Sequence, residues 1–265
     1  MKKKILINIE KLEDIEEYKK IGINNFLFAL KGFSIGYKSF DINDIKYLEC
    51  KKYLLLNRVL NNIDINNLKN IIKDLELFDG IIFEDIGVYN ILKNKNIKLI
   101  WNQSHFATNY KSINYYLDIM YSAVISNELT DEETKEIINK VNKPIILNIF
   151  GKNPVMYSRR KLLTNFNTYF NIENSSSVIL NEKITNNKFE AKESDKGTIL
   201  FSNKYFNIIN YINNYNKNNI LFYLIYPCGL KYKEIINIIN NKSSIEYDDG
   251  FMNKKTIYKL GDKKW

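Results

Sequence analysis

The chain has 265 residues, 45% of them hydrophobic and 26% charged, with a formal net charge of +9. That length and balance describe a globular chain with a sizeable core, and no apolar run approaches the ~18 residues of a membrane span. Two cysteines without paired spacing, Cys50 and Cys228, exclude a disulfide scaffold and a Cys-only zinc or iron–sulfur site, and a single histidine, His105, excludes a metal site built on several His.

No metal or other cofactor is therefore expected. The positive charge is carried by scattered lysines in a background rich in Asn, Ile and Tyr. Compositional drift toward Lys explains it without a partner, and a nucleic-acid surface stays open beside that reading.

The N-terminal Met-Lys-Lys-Lys leads into a first strand at residues 4–9. Its apolar run is too short for a signal peptide, and Glu10 and Asp14 follow at once, so a cytoplasmic protein is expected. Residues 11–21 carry Leu12, Ile15, Tyr18 and Ile21 at helical spacing. Further β-rich runs occupy residues 25–30, 53–59, 80–84, 98–102, 122–126, 144–150 and 220–226. Each of the first six strands is followed by a helical segment. Residues 65–77 place Leu68, Ile71, Ile72 and Leu75 on one face, and residues 130–141 open with a capping-box pattern, Thr130 then Glu133. Residues 231–239 form a last helix.

Eight near-continuous apolar strands alternating with helices predict a parallel sheet closed into a (β/α)8 TIM-barrel-like α/β fold, one domain spanning residues 1–265. No Gly-x-Gly-x-x-Gly follows any strand, which removes the usual support for a dinucleotide site. The alternation breaks over residues 151–219. These read as an irregular insertion with a helical stretch at 160–166 and two short strand-like runs near 177–180 and 198–202, suited to a small rim hairpin. A helix at 204–214 then resumes the pattern, and the tail from Gly250 alternates like a final strand.

In a barrel the reactive side chains gather at the C-terminal ends of the strands. Those ends supply Asn8, Glu10, Lys31, Asn57, Arg58, Glu84, Asp85, Asn102, Gln103, His105, Asn127, Glu128, Asn148 and Tyr226. Only three arginines occur, Arg58, Arg159 and Arg160, and all are expected on this rim. Guanidinium groups at a barrel mouth suit a carboxylate or phosphate. His105, Glu84 and Glu128 are the candidates for acid–base work. The same residues also read as rim hydrogen-bonders or arginine partners.

Several stretches resemble the peptidase U32 family, the collagenase-like proteases. They are Gly22-Ile-Asn-Asn-Phe-Leu-Phe-Ala-Leu-Lys-Gly-Phe-Ser34 with Phe40-Asp-Ile-Asn-Asp-Ile45, and Asn102-Gln-Ser-His-Phe-Ala-Thr-Asn109. With them come Ser126-Asn-Glu-Leu-Thr130, the segment Phe150 to Phe166 with its Tyr157-Ser158-Arg159-Arg160, and Gly250 to Tyr258, similar to short bacterial members. The resemblance implies a barrel-like fold, a peptidase (hydrolase) activity, and Gln103, Asn109 and Tyr157 as substrate-binding residues beside the arginines. It implies a peptide or small anionic ligand as partner.

Other relatives hydroxylate RNA bases or a quinone precursor with a cysteine-held iron–sulfur cluster. Where those relatives have the two cysteines, this chain has Pro154 and Lys161. Two further readings follow from that difference. One is a cluster-free relative or partner subunit acting with RNA or a paralogue. The other is a non-catalytic barrel that binds an anion.

Overall fold

The computed structural model describes residues 1–103 and 106–255. Its fifteen strands are β1 (Ile5–Asn8), β2 (Asn25–Leu30), β3 (Ser39–Phe40), β4 (Lys51–Leu56), β5 (Gly80–Phe83), β6 (Lys98–Asn102), β7 (Ser122–Val124) and β8 (Ile145–Gly151), then β9 (Pro154–Ser158), β10 (Ser177–Asn181), β11 (Lys188–Ser194), β12 (Gly197–Ser202), β13 (Tyr205–Asn207), β14 (Ile220–Ile225) and β15 (Tyr247–Asp248).

Eight of them pair in parallel in the order β14-β1-β2-β4-β5-β6-β7-β8, and β8 pairs with β14 to close the ring. This is the (β/α)8 barrel expected from the alternation. All eight sequence-read strands are its staves. The dyad of the strands sorts their side chains. One set, Leu6, Leu27, Ala29, Tyr53, Leu55, Ile82, Ile100, Val124, Ile146, Phe222 and Leu224, fills the barrel interior. The alternate set, with Ile7, Phe28, Leu54, Ile81, Phe83 and Trp101, packs outward against the helices.

The helices match the periodicity with two adjustments. The 65–77 segment is two helices, Asn62–Asn70 and Ile72–Leu75, parted at Ile71, whose φ of −107° leaves the helical range. Helix Asp131–Lys140 carries the capping box: the Glu133 amide donates to Thr130 Oγ1 and the Thr130 amide to Glu133 Oε2.

Residues 204–214 are not a helix. Tyr205–Asn207 pairs antiparallel with β8, Phe206 opposite Gly151, and only Ile212–Asn214 turns as a 3-10 helix. Phe206, Ile209 and Ile212 fit helical spacing, but pairing with β8 wins over local preference. At the tail, residues 250–254 form turns and the remainder of the proposed strand lies outside the described residues.

The insertion is more ordered than a hairpin. It is a four-stranded antiparallel sheet, β10-β11-β12-β9, with the helix Leu162–Tyr169 beside β12. The two runs read as strands do not pair with each other. The polar segment between them, β11, lies in the middle.

This sheet is fastened over the barrel mouth. Lys152 Nζ, just past β8, binds Glu190 Oε2 at 2.8 Å. Ile199 and Phe201 of β12 pack on Ile35 in the loop after β2. Gly36 makes that approach workable. Its φ is +83°, and a Cβ there would lie 2.6 Å from the Phe201 ring.

Candidate active site

The apolar interior ends one dyad short of the mouth. Continuing each inward phase by two residues gives Asn8, Lys31, Asn57, Glu84, Asn102, Ser126, Asn148 and Tyr226. Lys31 is exposed and pairs with Asp41, so the rest of the top layer is four asparagines, Ser126, Tyr226 and one carboxyl, Glu84. Asn57, Glu84, Asn102, Asn148 and Tyr226 line a cavity of about 200 Å3, together with Tyr37, Gln103, Asn127, and Pro154 to Tyr157 of the overlying sheet. Among the described residues, no lysine or arginine lines it.

Glu84 follows β5. Its Oε1 accepts from Asn102 Nδ2 at 3.0 Å, and Gln103 Nε2 donates to the Glu84 carbonyl at 2.8 Å. One neutral amide donor does not offset the loss of water around the carboxyl. Burial pushes the Glu84 carboxyl up to about 8. Asn148 is 7% exposed, and its Oδ1 has no hydrogen-bond partner among the described residues. A buried acceptor in a cavity wall is a position for a ligand donor.

Tyr37 and Tyr226 stack at 4.6 Å on the opposite wall. Burial first, and nearby Glu84 and Cys228 in addition, hold both phenols well above the usual tyrosine range, so they act as neutral groups. The Tyr37 loop is clamped from below. Asn57 Oδ1 accepts from the Ile35 amide at 3.0 Å, and its Nδ2 donates to the Ile35 carbonyl at 3.1 Å.

Of the residues proposed from sequence, Glu84, Gln103 and Tyr157 meet in this cavity. Tyr157 lines the cavity and donates its hydroxyl to the Lys196 carbonyl at 3.3 Å. Arg58 does not reach the mouth. It is 4% exposed, binds Asp64 Oδ2 at 2.9 Å through Nη2, and donates through Nη1 to the Gly32 carbonyl. Asn109 caps the helix Tyr110–Ile119 by accepting from the Ser112 amide at 2.9 Å.

Arg159 and Arg160 are exposed at the far end of β9. Glu128 is exposed on the loop after β7, its amide donating to Ser126 Oγ at 3.0 Å, and is not part of the cavity wall. His105 lies outside the described residues. Tyr37, Val155 and Met156 were not among the sequence candidates: the loop between β2 and β3 carries Tyr37 to the mouth, and the docking of the inserted sheet brings the β9 residues there.

The residues present do not fit a cysteine-held cluster. Positions 154 and 161 are Pro and Lys. Cys50 precedes β4, at the end of the barrel away from the mouth, whereas Cys228 follows β14 on the mouth side. Burial pushes the Cys228 thiol up to about 12, so it is no ready thiolate. Among the described residues no group of three or more His, Cys, Asp or Glu could hold a metal ion, and no helix is long and apolar enough to cross a membrane.

The family model described as peptidase family U32 matches residues 33–225, more than half of the chain and the part that contains the cavity-lining residues except Tyr226. No curated protein matches. Among solved structures, a chitinase from Chromobacterium violaceum is 10% identical, with 90% of this chain and 98% of that one covered and a TM-score of 0.43. The spore cortex-lytic enzyme SleL of Bacillus cereus is 11% identical over 91% of this chain and 75% of that one, with a TM-score of 0.41. The C-terminal domain of a chitinase-like protein from Desulfitobacterium hafniense is 12% identical over 90% and 98%, with a TM-score of 0.40.

Proposed function

Because the chain belongs to peptidase family U32, we propose that it hydrolyses peptide amide bonds in the mouth cavity, with Glu84 moving the proton. The observation that carries this reading is the Glu84 carboxyl, the only carboxyl in the cavity wall among the described residues, which burial pushes up to about 8. Amide hydrolysis needs a proton taken from the attacking water and a proton given to the leaving nitrogen. A carboxyl with a pKa near working pH serves both steps.

Asn102 fixes the orientation of Glu84 through its 3.0 Å hydrogen bond. The Asn148 Oδ1 acceptor is placed to receive a substrate N–H, and the neutral carboxamides suit an uncharged peptide backbone better than a phosphate. Arg159 and Arg160 serve as the anion-facing part of the site. They stand past the end of β9, where they meet an acidic group of a substrate that extends beyond the cavity. His105, two residues past Gln103 in sequence, is the second proton carrier of this reading.

The test is mass-spectrometric cleavage of unfolded casein by wild type and by Glu84→Gln. Removal of a general acid–base group costs about 100-fold or more in kcat/KM. Equal rates in the two proteins would remove Glu84 from the chemistry, and no cleavage by wild type would remove the hydrolysis.

A further inference from the structure

We propose that the free edge of β9 takes up an extended peptide segment as an added strand, laying its backbone across the mouth in front of Glu84. This deepens the peptidase reading and rests on it for the class of ligand.

The sheet order β10-β11-β12-β9 leaves β9 with β12 as its only strand partner among the described residues. Half of the backbone donors and acceptors of β9 thus point away from the sheet. The cavity lies along that side. Four consecutive β9 residues, Pro154, Val155, Met156 and Tyr157, line it, whereas β12 contributes Ile199 alone. Consecutive side chains of a strand alternate between faces, so a cavity touching all four runs along the edge, and a cavity touching a single residue meets a face.

The edge is open. Val155 and Met156 are 46% and 43% exposed. The usual devices that blunt an edge are missing from its centre: no lysine, no inward charge, and a proline only at the first position. Its start is pinned, because Asn127 Nδ2 donates to Asn153 Oδ1 at 2.7 Å, so the strand is a firm template. Main-chain pairing of this kind binds a segment regardless of its side chains, and neighbouring pockets add selectivity. Five residues at about 3.3 Å each accommodate a short extended segment. The two exposed guanidiniums directly after β9 favour an acidic group at that end of the ligand.

The experiment is amide hydrogen exchange on Glu84→Gln, which keeps peptides intact, with and without a pool of reduced, carboxymethylated casein peptides. The expected result is that β9 amides that exchange fast in the free protein slow by about tenfold or more at saturating peptide. The opposite edge of the same sheet, β10, keeps its rate. Peptides that raise the melting temperature while β9 exchanges unchanged, or that protect β10 instead, would overturn the edge and leave the hydrolysis standing. Protection of β9 in a protein whose wild type cleaves nothing would sustain the edge and end the hydrolysis. No binding at millimolar peptide would overturn the edge outright.

Discussion

Asn57 and Arg58 are neighbours in sequence and face opposite sides of the barrel wall. Asn57 turns inward, lines the cavity and clamps Ile35 with two hydrogen bonds. Arg58 turns outward into an ion pair with Asp64 at the start of the helix Asn62–Asn70, and also holds the Gly32 carbonyl. Between them they hold the loop at Gly32 and Ile35, just ahead of Tyr37.

Arg58→Ala leaves Asp64 buried without its partner. The expected cost is about 3–5 kcal/mol of unfolding free energy. Urea denaturation measures it. Arg58→Met, which keeps the aliphatic packing, should behave in the same direction. Loss of peptide affinity with full stability would instead make Arg58 a ligand contact.

Glu84 sets a pH dependence of stability opposite to that of an ordinary salt-bridged carboxylate. Its folded pKa of about 8 lies above the unfolded value, so between them the folded state holds a proton the unfolded state has lost. Stability is then greatest below the unfolded pKa and falls as pH rises toward 8, by up to about 1.4 kcal/mol per pH unit. Glu84→Gln lacks that contribution. Chemical denaturation of both proteins at pH 5, 6, 7 and 8 should show the difference in stability shrinking toward low pH. Parallel pH curves would mean that Glu84 is ionised in the fold.

Gly36→Ala forces a Cβ against the Phe201 ring at a backbone φ of +83°. A loss of about 1–3 kcal/mol is expected from the clash and the backbone strain. Limited proteolysis should then cut residues 159–196 faster than in wild type, since the contact holds the inserted sheet to the barrel. An unchanged melting temperature and cleavage pattern would mean that the sheet does not depend on this contact.

Arg160→Glu reverses a charge on an exposed side chain, so stability should stay within about 0.5 kcal/mol of wild type. Preference among peptides is expected to change, with those bearing an acidic residue at one end losing affinity relative to neutral ones. Fluorescence anisotropy with a labelled acidic and a labelled neutral peptide separates the two. Equal affinities in both proteins would take the arginine pair out of recognition.

The barrel was legible because eight short apolar runs, each bounded by polar residues, recur along the chain, most of them followed by a helical segment. The strand ends also brought Glu84, Asn102, Asn148 and Tyr226 into view. Strand phase separates the inward residues from the outward ones. Once Leu55, Ile82 and Ile100 are taken as interior, Asn57, Glu84 and Asn102 must point in, while Arg58 and Asp85 must point out. Asp85 accordingly accepts from the Leu60 and Gly87 amides and starts the helix Ile86–Leu92. Arg58 is one of three arginines in a lysine-rich chain, yet its phase turns it away from the mouth.

The inserted sheet was hidden for a different reason. Its middle strand β11 carries Lys188, Glu190, Lys192 and Glu193, a composition that reads as loop. The charges are tolerated there because partners from elsewhere meet them. Lys152 and Lys192 bind Glu190. Glu193 accepts from the Leu163 and Thr164 amides at the start of the helix Leu162–Tyr169. No local pattern announces partners that lie about 30 to 40 residues away.

The insertion departs from β8 at Gly151, and the strand that brings the chain back pairs Phe206 with that same residue. Paired residues of antiparallel strands lie about 5 Å apart. The roof over the mouth is therefore a detachable circuit whose two leads already touch. A short turn joining Gly151 to Phe206 would excise it without disturbing the eight staves or the ring of Asn57, Glu84, Asn102 and Asn148. The floor that holds Glu84 and the roof that holds the β9 edge are thus separable, and one roof could be exchanged for another while the floor stays as it is.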